Sequence, residues 1–312
     1  MKFLFVIDPI ESLNINTDSS FVLMLESQRR RHEVFYCEIR DLFIEKGKPL
    51  AHSKQIGVQH SKNHWRLIKE NKKELDHFDC IFMRKDPPVD QNYLYATYVL
   101  ELASKKTLIV NDPTSLRNFN EKLSVFQFPN LIPPTLVSTK IEDIFEFQDS
   151  VGGNIVVKPI YGHGGEGVYF LSAQDPNRKS ILQALTHNET ISIISQKAIP
   201  EGTTGDKRII LFDGKPIGAI MRVPRKGDFR ANLHVGGSCQ RAELTKKDKT
   251  ICNELGPFLK KNGILFTGID VIGDYLIEIN ITSPTCLQEL DKLNKTNSAA
   301  ILIDLIEKKI RN

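Results

Sequence analysis

The sequence predicts an α/β and α+β protein in which a Rossmann-like parallel-sheet domain precedes two further units. Over the first 120 residues, short apolar strands alternate with helical patterns, an alternation typical of parallel sheets with crossover helices. Beyond that point the strands follow one another more closely, as they do in α+β units. The chain of 312 residues is long enough for two or three domains with apolar cores.

The first domain is predicted over residues 1–121. Its predicted strands and helices are, in order, Lys2–Ile7, helix Ser19–Arg31, Glu33–Cys37, Cys80–Met83, helix Asn92–Ser104 and Thr107–Val110. Asp18 and Ser19 are suitable N-caps for the first helix. Because ligands of parallel sheets bind beyond the carboxyl ends of the strands, we expect a site near Asp8, Arg84 and Asn111.

The second domain is predicted over residues 122–200 and the third over residues 201–312. The second has predicted strands at Thr135–Ser138, Ile155–Lys158, Gly167–Ser172 and Ile191–Gln196 and helices at Ile141–Gln148 and Arg178–Thr186. The third has predicted strands at Asp206–Phe212 and Lys215–Arg222, a helix at Lys246–Lys261, a hairpin over Gly268–Asn280 and a helix at Ala299–Ile310. The apolar stripe of this last helix predicts a core or subunit contact.

Composition favours a cytoplasmic protein that acts on small molecules. The 42 basic residues nearly balance the 38 acidic ones, giving a net charge of +4, which argues against nucleic acid and suits small anions. Five scattered cysteines without a Cys-x-x-Cys pair indicate reduced thiols. The N-terminal apolar run of five residues is shorter than a signal-peptide core, and no stretch is long enough to span a membrane.

The hairpin that ends at Asn280 predicts a site for a divalent cation. Alternate side chains of a strand share one face, so Glu278 and Asn280 lie together and Asp270 can oppose them across the Gly273-Asp274 turn. A Mg²⁺ site uses one or two carboxylates and leaves other positions to water and phosphate. The alternative is a solvated hairpin face carrying ordinary polar residues.

A glycine-rich loop that follows Lys158 predicts a phosphate site. The loop contains Gly162, Gly164, Gly165 and Gly167, and such loops let backbone N–H groups approach an anion. It matches neither the P-loop nor the dinucleotide pattern. A flexible hairpin turn is the alternative, and the preceding lysine favours a triphosphate.

Basic residues on the next strands complete a predicted phosphoryl-transfer site. Arg208 and Arg222 lie on strands, and residues 223–237 form a polar, basic loop that ends in glycines. This loop is either a mobile lid that excludes water or a solvated loop. Cations that neutralise phosphates, a metal set and a flap are the parts that phosphoryl transfer requires.

Over nearly its whole length the chain resembles the ATP-grasp ligases, and among them the bacterial glutathione synthetases. The matching segments are Asp8–Ile10, Asp18–Phe21, Met83–Pro88, Asn120–Leu123, Lys158-Pro159 with its glycine loop, Gly205–Arg208, Arg230–Leu233 through Gly236-Gly237, and Glu278–Thr285. The first three discriminate within the superfamily. The resemblance implies an ATP-grasp fold after the Rossmann-like domain.

The resemblance also implies a reaction. Such an enzyme joins γ-glutamylcysteine to glycine at the expense of ATP, giving glutathione, ADP and phosphate, with Mg²⁺ or Mn²⁺ as the metal. The cysteinyl carboxylate would attack the γ-phosphate, and glycine would then displace phosphate from the acyl phosphate. A closed lid would protect that acyl phosphate from water. Relatives imply a homo-oligomer, either a dimer or a tetramer.

Residue roles carry over from the family to matching positions. The nucleotide would be bound by Lys122, Lys158, Gly164, Gly165, Gly167, the hinge segment Gln196, Lys197, Ala198 and Ile199, and Asp206 and Arg208. Arg208, Arg222, Arg230 and Asn232 would act on the transferred phosphoryl group. Asp18, Ser19, Ser20, Arg84, Ser283, Pro284 and Thr285 would form the peptide-substrate wall, and Asp270, Glu278 and Asn280 would bind the metal.

Other functions remain as alternatives to this interpretation. Another ATP-grasp ligase, such as a D-alanine–D-alanine or an amino-acid–protein ligase, shares the nucleotide half and differs in the N-terminal segments. A non-catalytic ATP-binding module would keep the fold without turnover. A nucleic-acid-binding protein is disfavoured by the near-neutral charge and by the lack of an interleaved basic and aromatic face.

Overall fold

Three β-sheets organise the computed structural model, which describes residues 1–162, 164–228, 230–231 and 236–311. The N-terminal sheet contains β1 (Lys2–Val6), β2 (Glu33–Cys37), β3 (Leu42–Glu45), β4 (Lys48–Val58), β5 (Trp65–Glu74), β6 (Cys80–Met83) and β7 (Leu108–Val110). Its helices are α1 (Ser19–Arg29), α2 (Gln91–Glu101) and α3 (Pro113–Asn118). Strands β2, β1, β6 and β7 are parallel neighbours in that order, as predicted.

The strands β3, β4 and β5 extend this sheet in the antiparallel sense and were not predicted. Strand β4 pairs with β2, β3 and β5. Most of β5 is exposed on both faces, so backbone pairing rather than burial holds it in place. The predicted helices of this domain are present, and α1 begins where Asp18 accepts a hydrogen bond of 2.6 Å from the Phe21 N–H.

The central sheet is antiparallel and four-stranded. It contains β8 (Thr135–Ser138), β9 (Asn154–Pro159), β10 (Tyr169–Ser172) and β11 (Ile193–Lys197), with α4 (Ile141–Ser150) and α5 (Arg178–Leu185) on one side. The order is β10-β9-β11-β8. A small core that includes Ile144, Ile155 and Leu182 joins the sheet to its helices, which leaves the other face of β9 available to a ligand.

The third sheet carries most of the predicted chemistry. It contains β12 (Asp206–Phe212), β13 (Lys215–Val223), β14 (Ser238–Ala242), β15 (Phe266–Ile272) and β16 (Tyr275–Asn280), followed or flanked by α6 (Lys246–Lys261), α7 (Leu287–Asn294) and α8 (Ser298–Arg311). Its order is β14-β13-β12-β15-β16, antiparallel throughout. Helix α6 has the predicted bounds, and a capping box between Thr245 and Asp248 starts it.

One buried side chain joins the N-terminal sheet to the third sheet. Asn111, which follows β7, donates hydrogen bonds of 2.7 Å to the carbonyls of Phe266 and Ile281. Its amide oxygen accepts from the N–H groups of Leu265 and Phe266, both at 2.8 Å. The end of β7 is therefore attached to the start of β15 and to the loop after β16.

The predicted divisions after residues 121 and 200 fall between successive sheets, since β7 precedes the first and β11 precedes the second. They remain predictions about separate folding units. None of the helices in the described ranges is long and apolar enough to cross a membrane.

Candidate functional site

A cavity of about 1070 Å³ has walls from all three sheets. Asp8 follows β1, Lys158 lies on β9 and Asp270 lies on β15, and each lines the cavity. The cavity thus lies beyond the carboxyl end of a parallel strand, as expected for such sheets. Its centre contains most of the charged residues that the sequence analysis selected.

The hairpin of β15 and β16 arranges three oxygen-bearing side chains on one wall. Asp270 pairs directly with Glu278 across the hairpin, and Gly268 pairs with Asn280. The Asn280 Nδ2 lies 3.3 Å from Asp270 Oδ2, so the side chains share one face. The pairing that was inferred from the turn residues is therefore present in the fold.

Two arginines hold the Asp270 carboxylate. Arg208 donates from Nε to Oδ1 at 2.5 Å and from Nη2 to Oδ2 at 3.0 Å. Arg222 Nη2 lies 2.8 Å from the same Oδ2, and its Nε donates to Asp206 at 2.7 Å. Burial raises the pKa of Asp270, but the two guanidinium charges outweigh burial and bring the pKa well below its ordinary value. Asp270 is thus an anion throughout the physiological range.

Two lysines lie close to this wall of the cavity. Lys158 is buried at the end of β9, where burial lowers the pKa of its ammonium group. The Lys122 Nζ donates to the Gly162 carbonyl at 2.5 Å and lies 3.2 Å from Glu278 Oε1. Lys122 therefore connects the glycine loop to the hairpin.

The glycine loop lies beside these lysines. Gly164, Gly165 and Gly167 have φ values of 64°, 84° and 68°, a region that side chains other than glycine rarely adopt. Gly164 and Gly165 line the cavity, whereas Gly167 packs against the ring of Pro159. His163 lies outside the described residues.

The predicted lid contacts the glycine loop through Arg230. The Arg230 Nη1 donates to the Gly165 carbonyl at 3.0 Å, while its Nε and Nη2 bind Asp228. Arg230 and Ala231 line the cavity. Asn232 and residues 229 and 233–235 of the predicted loop lie outside the described residues.

The hinge segment and its surroundings form a largely apolar end of the cavity. Gln196, Lys197, Ala198 and Ile199 all line it. The Gln196 side chain is turned toward β8, where its Nε2 donates to Thr135 at 2.9 Å. Five apolar residues that were not predicted as site residues also line the cavity: Val156, Val168, Phe170, Ile272 and Ile277.

The predicted peptide wall is divided between the cavity surface and a layer behind it. Asp18, Ser283, Pro284 and Thr285 line the cavity. Ser19, Ser20 and Arg84 are buried behind that surface. Arg84 donates to Ser20 Oγ at 3.1 Å and to the Pro284 carbonyl at 2.8 Å, with its guanidinium 4.9 Å from the ring centre of Phe266. Arg84 thus joins α1 to the loop after β16.

Several lining residues were not selected from the sequence. They are Asn14, Thr17, Asp86, Glu121, Cys286 and Glu289. Asp86 follows the parallel strand β6, as Asp8 follows β1, and that position was a usable signal. Glu121 accepts from the N–H groups of Ile281 and Thr282, both at 2.8 Å, and thereby holds the loop that begins the peptide wall.

The oxygen donors of the hairpin fit a divalent cation. Within the described part of the chain, no group of three or more His, Cys, Asp and Glu side chains is arranged to hold a metal. The hairpin instead offers two carboxylates and one amide oxygen on a single face. This donor set suits Mg²⁺ or Mn²⁺, which prefer oxygen and share their coordination with phosphate.

Comparison with known protein families assigns both halves of the chain. The family model "Prokaryotic glutathione synthetase, N-terminal domain" matches residues 1–117, and "Prokaryotic glutathione synthetase, ATP-grasp domain" matches residues 121–295. The glutathione synthetase of Prochlorococcus marinus subsp. pastoris is 44% identical over 98% of this chain and 99% of its own length. The glutathione synthetase of Vibrio parahaemolyticus is 41% identical over 100% of this chain and 99% of its own length.

Solved structures show the same fold at low sequence identity. The D-cycloserine synthetase DcsG has a TM-score of 0.66 at 15% identity, covering 98% of this chain and 99% of its own. The D-alanine–D-alanine ligase of Bacillus anthracis, in complex with ATP, has a TM-score of 0.61 at 15% identity, with coverages of 99% and 97%. The predicted ATP-grasp architecture is thereby confirmed.

Proposed function

This chain belongs to the prokaryotic glutathione synthetase family and is an ATP-dependent ligase, and we propose that its cavity joins γ-glutamylcysteine to glycine. The products are glutathione, ADP and phosphate. The observation that carries the proposal is the charged centre of the cavity. There, cations from β9, β12 and β13 face the oxygen donors of the hairpin, Asp270, Glu278 and Asn280.

Four cations receive the phosphates of ATP. Lys122 and Lys158 lie against the glycine loop and the end of β9, so they meet the phosphate chain from one side. Arg208 and Arg222 meet it from the other, and their attachment to Asp270 and Asp206 keeps both guanidinium groups in place without substrate. Cations that are already oriented stabilise developing charge with little reorganisation.

Asp270, Glu278 and Asn280 hold the divalent cation. When bound, a Mg²⁺ or Mn²⁺ ion neutralises phosphate charge and orients the γ-phosphoryl group for in-line transfer. Asp270 is suited to this role because its low pKa keeps it ionised. Glu278 also lies within 3.2 Å of Lys122, which links the ion site to the phosphate lysines.

The hinge segment binds the adenine and Asp206 the ribose. Gln196 to Ile199 line the apolar end of the cavity, opposite Ile272 and Ile277. Because the Gln196 side chain is occupied by Thr135, backbone groups of the segment remain to read the base edge. Asp206 lines the cavity and accepts a hydrogen bond from Arg222.

The cysteinyl carboxylate of the substrate is the acceptor of the phosphoryl group. Oxide is too poor a leaving group for an amine to displace, and phosphorylation turns that oxygen into departing phosphate. Arg230 and Asn232 belong to the loop that closes over the acyl phosphate. The contact of Arg230 with the Gly165 carbonyl supports a closure of this loop against the glycine loop, which would exclude water.

The peptide substrate lies against the N-terminal wall. Asp18 and Thr285 face the cavity, and Ser19, Ser20 and Arg84 support that surface from behind. Arg84 supports this wall through Ser20 and Pro284, and its Nη1 has no hydrogen-bond partner among the described residues. The direct pairing of Arg84 with a substrate carboxylate therefore stays a prediction.

The proposal includes a cytoplasmic homo-oligomer, a dimer or a tetramer. Sedimentation velocity should give a mass of two or four times the 35.4 kDa of one chain. A species of 35.4 kDa at micromolar concentration would contradict this part of the proposal and would leave the assigned reaction unaffected.

The reaction is tested by coupled ADP release together with mass spectrometry of the product. We expect ADP and glutathione in equal amounts when ATP, Mg²⁺, γ-glutamylcysteine and glycine are all present, and no turnover with D-alanine alone. Glu278→Gln should lower turnover at limiting metal, whereas the exposed Glu243→Gln should not. Turnover with D-alanine alone, or ATP binding without turnover on any pair, would contradict the proposal.

A further inference from the structure

Glu289 is a cavity residue that the assigned roles leave unused. It lies in the first turn of α7, three residues after Cys286, and lines the cavity. Its Oε2 is buried and has no hydrogen-bond partner among the described residues. Buried polar atoms are almost always paired in folded proteins, so an unpaired oxygen in a residue that lines the cavity requires an explanation.

The position of Glu289 places it at the edge of the reaction centre. Helix α7 packs against β13, which carries Arg222, and against β14, which follows the lid. Burial raises the pKa of the Cys286 thiol, and the charges of Arg208, Arg222 and Glu289 also act on it, so all three lie near this thiol. Glu289 is therefore in the neighbourhood of the arginines that are proposed to receive the transferred phosphoryl group.

Glu289 carries no ion pair in the described part of the chain. Asp206 and Asp270 are each bound by arginine, and Glu278 lies beside Lys122. No lysine, arginine or histidine of the described ranges lies within ion-pair distance of Glu289, although burial raises the pKa of its carboxyl. Its carboxyl group is therefore free to accept a cationic group of a ligand.

We propose that Glu289 receives the ammonium group of the amine substrate and removes one of its protons before the attack. This proposal rests on the proposed function, because it requires an acyl phosphate and an incoming amine. Glycine binds as an ammonium ion, and an ammonium nitrogen has no lone pair for attack. A carboxylate with a raised pKa is better suited to take such a proton than an ordinary one.

The step balances in atoms and electrons. The ammonium group gives one proton to the Glu289 carboxylate, which becomes a carboxylic acid. The freed lone pair forms a C–N bond to the acyl carbon, and the C–O bond to phosphate breaks with its electron pair on the phosphate. The second proton of the nitrogen passes to the leaving phosphate, and the carboxylic acid returns its proton to water after product release.

A structural role makes a different prediction. An acidic residue in the first helical turn stabilises the helix through its dipole, and this effect does not depend on which nucleophile enters the cavity. Hydroxylamine separates the two roles, because it is unprotonated at neutral pH and attacks acyl phosphates without a base.

The experiment compares glycine with hydroxylamine in Glu289→Gln, with γ-glutamylcysteine, ATP and Mg²⁺ present. We expect kcat with glycine to fall by about 10²- to 10⁴-fold, while hydroxamate formation stays within a few-fold of wild type. Glu289→Asp should recover part of the glycine rate. The exposed Glu254→Gln on α6 is the matched control and should retain both activities.

Each other outcome overturns the proposal. Equal losses with glycine and hydroxylamine would assign Glu289 to the fold or to phosphoryl transfer, and an unchanged glycine rate would remove it from the reaction. If Glu289→Gln does not fold, the same two rates are compared in Glu289→Asp. A loss confined to the rate with glycine supports the proposal, and equal losses with glycine and hydroxylamine contradict it. Failure of the proposed function is distinguishable, since wild-type protein would then form no hydroxamate from γ-glutamylcysteine.

Discussion

Asp270 shows how a single residue orients two cations of the cavity. Its carboxylate is buried between Arg208 and Arg222, and both arginines are consequently held in position before any ligand arrives. The cost of burying three charges is offset by direct pairing, which is the condition under which buried ions are tolerated. In the proposed function, the same carboxylate also helps to hold the divalent cation.

Lys158 gives a prediction at this scale. Replacing it with alanine removes a buried ammonium group from the end of β9, so we expect the KM for ATP to rise by about 10- to 100-fold, as for loss of a charge-assisted hydrogen bond. The KM for glycine should change much less. Initial-rate kinetics with each substrate varied in turn measure both constants.

The control for this prediction is Lys179→Ala, an exposed lysine of α5 in the same domain. It should leave both constants near their wild-type values. A larger change in the KM for glycine than in that for ATP would show that Lys158 lies at the amine site instead.

The residue identities of the charged centre were predictable, whereas their partners were not. A Gly-Asp turn determines the hairpin register, so the opposition of Asp270 and Glu278 follows from local sequence. The contact of Arg84 with Pro284 joins segments 200 positions apart, and no local pattern reports such a distance. Glu289 was missed because its helix, α7, was not predicted from the sequence.

At the scale of elements, strands that bury apolar side chains could be predicted from the sequence, and exposed strands could not. Strands β12, β13, β15 and β16 were predicted because buried apolar runs form them. Strands β4 and β5 were missed because β5 is exposed and mostly polar, so it shows no alternation of apolar residues. Such a strand is stabilised by pairing with β4, which leaves little signal in the side chains.

The contact between α1 and α8 provides a prediction with a pH dependence. Glu26 on α1 is buried, and hydrogen bonds from Arg29 and then Arg30 lower its pKa to about 2 from an ordinary value of 4.5. Arg30 also donates hydrogen bonds to Asp304, to Glu307 and to the Ala300 carbonyl, all on α8. Because the folded pKa is depressed, this contribution to stability is complete above pH 4.5 and is lost as the pH falls toward 2.

We expect Glu26→Gln to lower the free energy of unfolding by about 2 kcal/mol at pH 7. The difference from wild type should shrink as the pH falls below 4.5, which urea titrations at several pH values will measure. Asp304→Asn, at an exposed partner of the same arginine, should cost at most about 1 kcal/mol. A difference that stays constant with pH would contradict the assigned role of the Glu26 charge.

At the scale of the whole molecule, the cavity depends on contacts that join the sheets. The Asn111 side chain makes four hydrogen bonds to the backbone around β15 and β16. Glu121 makes two more to the loop after β16. The ATP-grasp fold after a Rossmann-like domain was predictable from element order and motifs. The hydrogen bonds of Asn111 and Glu121 were not, because each connects a side chain to backbone groups that are far away in the sequence.

Asn111→Asp tests the principal joint. Aspartate keeps the acceptor but places a second oxygen against the carbonyls of Phe266 and Ile281, where the amide had donated. We expect a loss of about 3 kcal/mol or more in the free energy of unfolding, together with lower ligase activity. The exposed Asn63→Asp should change neither by a measurable amount.

Unfolding in urea, followed by circular dichroism, gives the stability of both variants. A cost below about 1 kcal/mol for Asn111→Asp would mean that the joint is not needed to hold the two sheets together. A loss of stability with full ligase activity would mean that the hydrogen bonds of Asn111 stabilise the fold but do not determine the geometry of the cavity.

The most direct test of the central claim follows an oxygen atom through the reaction. γ-Glutamylcysteine labelled with ¹⁸O in the cysteinyl carboxylate is incubated with ATP, Mg²⁺ and glycine, and the inorganic phosphate is analysed by mass spectrometry. Transfer of one labelled oxygen to phosphate for each glutathione formed is the result expected for an acyl phosphate made in this cavity. Glutathione formed with unlabelled phosphate would contradict it.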